Sequence, residues 1–293
     1  MSKIESKAYV NLLLVVVFWG LTFPMQKDIL HGLSPVFYNV VRFSFAILLL
    51  IPLKKRLGLS FFGSGFKKGV VLGLFLSGGY VFQTWGLVFT SASKSAFITA
   101  LYVAIVAILS PLIERKIPTA VQISSLAISL IGLYFLTSPD GGFNFGDFLT
   151  TICALSFALH VVLISHFTKS SGDKEMDLLL PQFMVVVLVN LLLTPFVEGS
   201  IFIDYRILLV ALFTAVFATI FAVVVQLKYQ RYLGSVGASL IYVGEPGFAL
   251  LFAMIILGES PSRMEIVGLS LMTLGMVAGG TVSLIRKERE ARE

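Results

Sequence analysis

Apolar residues along this chain fall in long continuous stretches rather than in the helix- or strand-period alternation of a half-solvated element. Eight stretches contain no Asp, Glu, Lys or Arg: 8–26, 69–93, 95–113, 117–139, 148–168, 178–197, 207–227 and 266–285. A hydrocarbon core about 30 Å thick is crossed by about 20 helical residues rising about 1.5 Å each. Each stretch therefore predicts a membrane-crossing helix. Two more, 29–53 and 232–258, are interrupted once, near the centre, by Arg42 and Glu245 respectively. The pattern predicts ten transmembrane helices joined by short loops, with no soluble domain.

Composition agrees. Hydrophobic residues make up 57% of the 293, charged residues 13%, and the mean hydropathy is +0.95. That leaves too little polar surface to cover a water-soluble globule. The net charge of +6 does not point to nucleic acid, because the cations are sorted by loop. With the N-terminus in the cytoplasm, 17 of the 22 Lys and Arg face that side and 4 the other. This positive-inside bias places both termini in the cytoplasm of a cell inner (plasma) membrane protein and fits an even number of crossings. Lys3 and Lys7 precede the first stretch as in a signal peptide, but no small-x-small cleavage site follows, so that stretch is expected to stay as a span. The single cysteine, Cys153, excludes an intramolecular disulfide.

The cluster Pro139-Asp140-Gly141-Gly142 divides the spans five and five. Residues 110–136 and 255–280 echo one another: Glu114 matches Glu259, Pro118 matches Pro261 and Gly132 matches Gly275, with a two-residue gap. Two five-helix units in sequence, 1–140 and 141–293, must face opposite ways across the membrane. Inverted repeats of this kind are a secondary-transporter plan, with the site near the midplane between the halves. The alternative is a coincidental five plus five in a channel or membrane enzyme. Gly69, Gly73 and Ser77, and Gly275 with Gly279, step at four-residue intervals that suit close helix contacts.

A charge in hydrocarbon costs roughly 2.5–3.5 kcal/mol or more, so Arg42 and Glu245 are the most informative residues. Glu245 is read as facing a cavity, where it binds an ammonium group or exchanges a proton; the bland reading is an ion pair with Arg42 or a cap on a broken helix. Pro246, with Gly244 and Gly247, is expected to kink the ninth span. Tyr242 falls one turn from Glu245 on the same face. Tyr38, Asn39, Arg42 and Phe45 share a face of the second span, where Arg42 either holds a substrate carboxylate or anchors helices through carbonyls. Trp19 and Phe23 share a face of the first span, which Pro24 is expected to kink. Tyr80 and Gln83 on the third span, Tyr102 on the fourth and His160 on the sixth complete the candidates, and Gln226 is expected at a helix end, in the interface. A single Phe is expected to pack or face lipid. No GxxxxGK[ST] loop, HExxH or His/Cys cluster occurs, so no ATPase engine, metal, cofactor or catalytic residue is expected.

Several segments resemble the drug/metabolite transporter superfamily, in its EamA-type ten-helix permeases: FWGLTFPMQK at 18–27, NVVRFSFAILLL at 39–50, QTWGLVFTSASKSAFITALYVAIVAILSPLIER at 83–115 and YVGEPGFALLFAMIILGE at 242–259. TSASKSAFITALY is similar to the YddG-like exporters of aromatic amino acids. The resemblance implies two inverted five-helix repeats around a central cavity with alternating access. Arg42, Glu245-Pro246 and Glu259 stand where that family has its recurring Arg, Glu-Pro and loop Glu. The expectation is an exporter of small organic metabolites such as amino acids, with membrane lipid around it, a proton as a candidate coupling ion and no nucleic-acid partner. An uncoupled exchanger or uniporter, and more distantly a lipid-modifying membrane enzyme, are the alternatives.

Overall fold

The computed structural model describes residues 3–90, 92–137, 142–170, 175–257 and 261–290. Glu259 and, apart from Gly142, the Pro139–Gly142 cluster lie outside them. The described chain is helical, with one isolated bridge between Leu33 and Ser200 and no strand among the described residues. In order the helices are α1 Lys3–Ile29, α2 Pro35–Leu50, α3 Phe66–Phe89, α4 Ala92–Ala100, α5 Tyr102–Ile113, α6 Ala120–Thr137, α7 Phe145–Ser170, α8 Leu179–Leu193, α9 Tyr205–Phe213, α10 Arg231–Tyr242, α11 Glu245–Leu257 and α12 Arg263–Glu290. Single turns at Lys54–Leu57 and Glu175–Leu178 punctuate the loops, and the backbone between α9 and α10 winds through π-helical turns at Thr214–Phe221 and Gln226–Gln230.

Six helical stretches among the described residues are long and apolar enough to cross a membrane: Ile4–Ile29, Phe66–Phe89, Lys94–Ile113, Phe145–Lys169, Glu175–Leu193 and Tyr205–Phe252. The last has 48 residues, enough at about 1.5 Å each to cross twice. Pro35–Leu50 and residues 120–136 are shorter apolar helices. Large apolar side chains such as Leu48, Ile108, Leu112 and Leu192 are exposed, a surface that water penalises and lipid does not.

Three boundaries differ from the pattern of apolar runs. α2 starts at Pro35 rather than 29, because Gly32 takes a left-handed φ of 80° and Ser34 caps Phe37 N with proline at the first helical position. The apolar Leu30 and Leu33 before it are instead buried in the turn. That turn is pinned across the molecule by Ser34 N to Ser200 O (3.0 Å) and Ser200 N to Gly32 O (2.8 Å). The eighth run is helical well past Leu227, since the stretch from α9 continues to Gly234, whose φ of 75° and ψ of 172° end it. The ninth run is broken at Val243-Gly244 and restarts at Glu245, with Pro246 in the first turn, where a missing N–H costs nothing. α1, by contrast, stays helical through Pro24.

Small residues set the packing, as the spacing predicted. On α3, a Cβ at Gly69 would lie 2.9 Å from Pro181 Cβ and one at Gly73 2.8 Å from Val185 Cβ, both in α8. Gly79 and Gly86 leave the same kind of space for Phe157 and Thr150 of α7. α6 and α12 are pressed together backbone to backbone: a Cβ at Gly132 would run into Met272 N and stand 2.7 Å from Gly268 O, and one at Gly275 2.6 Å from Ser125 O. The contacts of Gly279 lie outside the described residues. The register that matches Pro118 to Pro261 also matches Ser125 to Gly268, Ser129 to Met272 and Gly132 to Gly275. Gly132 thus meets the counterparts of Ser125 and Ser129, while Gly275 meets Ser125 and Ser129 themselves. Such reciprocal contacts mark a two-fold relation between antiparallel helices. Both helices also open on matching capping boxes, Thr119 with Gln122 and Ser262 with Glu265.

Candidate functional site

Within the bundle lies a cavity, partly open to the outside, lined by α1, α3 to α5, α7, the π-helical stretch, Arg42 of α2 and Glu245 of α11. Seven of the residues singled out from sequence line it: Trp19, Arg42, Tyr80, Gln83, Tyr102, His160 and Glu245. Thr22, Thr99, Phe157 and Gln226 also line it.

Arg42 is 1% exposed and anchored to protein through Nε and Nη2. Its Nε donates to Thr219 Oγ1 (2.8 Å), and its Nη2 donates to Ala218 O (3.2 Å) and Tyr80 OH (3.2 Å). The guanidinium also lies 4.5 Å from the Tyr80 ring centroid, a cation–π geometry. Trp19 Nε1 donates to the same Ala218 carbonyl at 3.1 Å. That oxygen accepts side chains from α1 and α2 because residues 214–221 are wound as π-helix, a local widening that recurs at functional sites. Among the described residues no ion pair joins Arg42 to Glu245, so of the two sequence readings for Arg42 the carbonyl anchor is the one present.

Glu245 opens α11 and is 7% exposed. No described residue gives its carboxylate a hydrogen bond or an ion pair; the free amide groups of its own first turn are not capped by it. An acid buried in this way is costly unless something other than protein neutralises it. Its backbone is held close: a Cβ at Gly20 of α1 would stand 2.9 Å from Glu245 O and 2.9 Å from Ala249 N.

Two sequence-based placements are corrected. Tyr242 does not share the Glu245 face, because the helix breaks between them at Val243-Gly244. It is fully buried beside the cavity, edge-on to Trp19 at 5.3 Å, and its hydroxyl donates to Gln230 Oε1 at 3.1 Å. Gln226 is not interfacial; it is 2% exposed and lines the cavity, since its helix continues beyond it. Asn39 lies outside the lining, where its amide donates to Tyr80 O, Thr84 Oγ1 and Asn190 Oδ1 (3.2, 2.9 and 3.1 Å), tying α2, α3 and α8 together. His160 Nε2 meets Gln182 Oε1 at 2.9 Å. Because Gln182 Nε2 donates to Leu178 O (2.8 Å), its Oε1 is the acceptor and His160 the donor.

Toward one end of the bundle lies a dense polar layer. Gln230 Nε2 donates to Val161 O (2.6 Å) and Ser165 Oγ (2.7 Å). Beyond it the Glu114 carboxylate, at the end of α5, takes hydrogen bonds from Ser110, Lys169 and Ser235. Burial pushes the Glu114 carboxyl up, but these donors and the Lys169 charge outweigh it and hold it below the ordinary carboxylate value. At the other end Lys27 Nζ donates to Leu87 O (2.7 Å) and Thr90 O (2.9 Å), and Lys94 pairs with Asp147 at 2.6 Å.

The profile of the EamA-like transporter family matches residues 6–138 and again 144–278. Two proteins of Archaeoglobus fulgidus named as uncharacterized transporters are similar to the chain: one is 34% identical over 92% of this chain and 84% of its own length, the other 26% identical over 92% and 97%. A solved crystal structure superposes with a TM-score of 0.79 over 95% of this chain and 98% of that one at 15% identity, a likeness of fold alone.

Proposed function

The chain belongs to the EamA-like transporter family, and we propose that it is a secondary transporter that exports a small organic metabolite carrying an amine, such as an amino acid, by alternating access. The reading takes the fold as ten crossings in two inverted repeats, 1–140 and 141–293, with both termini in the cytoplasm of the inner membrane. The 48-residue Tyr205–Phe252 stretch then crosses twice, and α2, α6 and α12 complete the set. The doubled family match and the reciprocal α6–α12 contacts support the inversion.

One observation carries the mechanism: Glu245 faces the cavity with no partner among the described residues, while Arg42 is anchored by Ala218, Thr219 and Tyr80. The acid is the group that awaits a ligand, either a substrate ammonium or a proton exchanged against it. Trp19, Tyr80, Tyr102 and Phe157 supply the apolar and aromatic wall for the rest of the molecule. Arg42 holds the wall in shape and turns its remaining charge toward a substrate carboxylate.

Purified protein in sealed liposomes tests this. A panel of amino acids and organic amines is screened first by thermal stabilisation, which reports binding to the folded state, and the binders are then assayed for flux. A transported compound appears unchanged on the far side of the bilayer, whereas an enzyme consumes it in detergent. If no compound raises the melting temperature of wild type more than that of Glu245→Ala, the site assignment fails. Flux whose pH dependence survives Glu245→Gln would mean that no proton is coupled through Glu245.

A further inference from the structure

The two ends of the cavity differ in how their polar groups are satisfied. At the Glu114 end Tyr242, Gln230, Ser165 and Ser235 all have partners. At the Lys27 end they do not. Among the described residues, the buried side-chain atoms without a hydrogen-bond partner are Gln26 Oε1, Ser95 Oγ, Tyr102 OH, Asn39 Oδ1 and Glu175 Oε2. Glu175 Oε2 lies 3.6 Å from Arg231 and the Asn39 amide is tied into the α2–α3–α8 junction. The remaining three lie on two helix faces that meet in the cavity.

On α1, Trp19, Thr22 and Gln26 recur at helical spacing, and the first two line the cavity. On α4 and α5, Ser95, Thr99 and Tyr102 do the same, and the last two line it. Gln26 and Ser95 each extend their face by one turn in the same direction, because Lys27 at the end of α1 bonds to the carbonyls of Leu87 and Thr90 just before α4 begins. Gln26, Ser95 and Tyr102 are 3%, 0% and 3% exposed. An unsatisfied polar atom costs about 1–3 kcal/mol, so three aligned along one route are a feature that packing alone disfavours. A Gln Oε1 can only accept, and the two hydroxyls can accept as well. The two lysines at this end are engaged, one by carbonyls and one by Asp147, which lessens their repulsion of a cation.

We propose that these two faces form a polar track by which an N–H-bearing solute, an ammonium in the first instance, passes between Glu245 and the Lys27–Lys94 end of the molecule. The proposal rests on the reading of the chain as a transporter. It adds a second station for the solute, built from Gln26 and Ser95, one turn outward of the cavity.

The test uses full-length protein in liposomes, with Cys153→Ala removing the one native thiol. Gln26→Cys, Ser95→Cys and, as a dry-core control, Val15→Cys are treated with a cationic, membrane-impermeant methanethiosulfonate reagent. A thiol buried among apolar groups reacts slowly, and one in a polar, accessible site reacts fast. The track predicts that the first two react at least about tenfold faster than the control, from one side of the membrane only. Rates as slow as Val15→Cys at both positions overturn it. In parallel, Gln26→Leu removes an unsatisfied acceptor. The track predicts flux lowered by about tenfold with melting unchanged or raised, since an apolar replacement relieves an unpaired group. Full flux in a folded Gln26→Leu also overturns it, and Ser95→Ala gives the same readout should Gln26→Leu not fold. Labelling does not require transport. A chain that labels at both positions but moves no compound would sink the transporter reading and leave the track standing.

Discussion

Replacing Glu245 by glutamine should stabilise the ligand-free protein while abolishing its function. Glu245 is 7% exposed and no described residue donates to its carboxylate. The insertion cost of a mid-membrane charge is about 2.5–3.5 kcal/mol. Access to the cavity and the positive end of α11 relieve part of this, leaving about 1–2 kcal/mol for the isosteric, neutral Gln to recover. At roughly 2–4 °C per kcal/mol, melting should rise by about 2–8 °C. The alternative, that Glu245 is a structural partner of Arg42, predicts the opposite sign, because removing one member of a buried ion pair costs about 3–5 kcal/mol. The assay is thermal unfolding of both forms in the same detergent at one pH, with flux in liposomes alongside. A fall of several degrees in Glu245→Gln would refute the assignment of the acid as an unpartnered ligand group. So would undiminished flux of an amine in that variant.

Other perturbations follow from single contacts. Gly20→Val places a branched side chain where Phe248 Cβ, Ala249 N and Glu245 O already stand within 2.9 Å; separating α1 from α11 should cost about 1–3 kcal/mol and lower flux, read by melting and uptake. Gly234→Ala meets no atom within 4 Å, so its cost is backbone conformation at φ 75° and ψ 172°, about 1–3 kcal/mol by melting. Because the Glu114 carboxyl is held below its usual 4.5, its contribution to stability is present above that value and lost as pH falls through the lower, folded-state value; Glu114→Gln should flatten melting against pH only in that acid window, and an unchanged profile would count against the cluster with Lys169 and Ser235.

The membrane class and the two buried charges were legible because charge is so rare in apolar runs that each instance stands out. Arg42 and Glu245 do meet at one cavity. What the sequence could not convey was partnership. Arg42 bonds to a carbonyl at Ala218, a residue with no signal of its own, freed by a π-helical turn that no composition announces. Tyr242 was misplaced because helical periodicity was carried across a break at Val243-Gly244. Gln226 was misplaced because Lys228 and Arg231 end an apolar run without ending the helix; long cationic side chains can lie along it toward water. Thr22, Thr99 and Phe157 line the cavity yet differ in no way from the many Thr and Phe that only pack.

The glycine contact between α6 and α12 bears on how the molecule moves. Where backbone meets backbone there are no rotamers to exchange, so the contact cannot yield gradually as packed side chains do. On the alternating-access reading proposed above, those two helices would serve as a single axle about which one half rocks against the other, with the displacement growing toward the cavity.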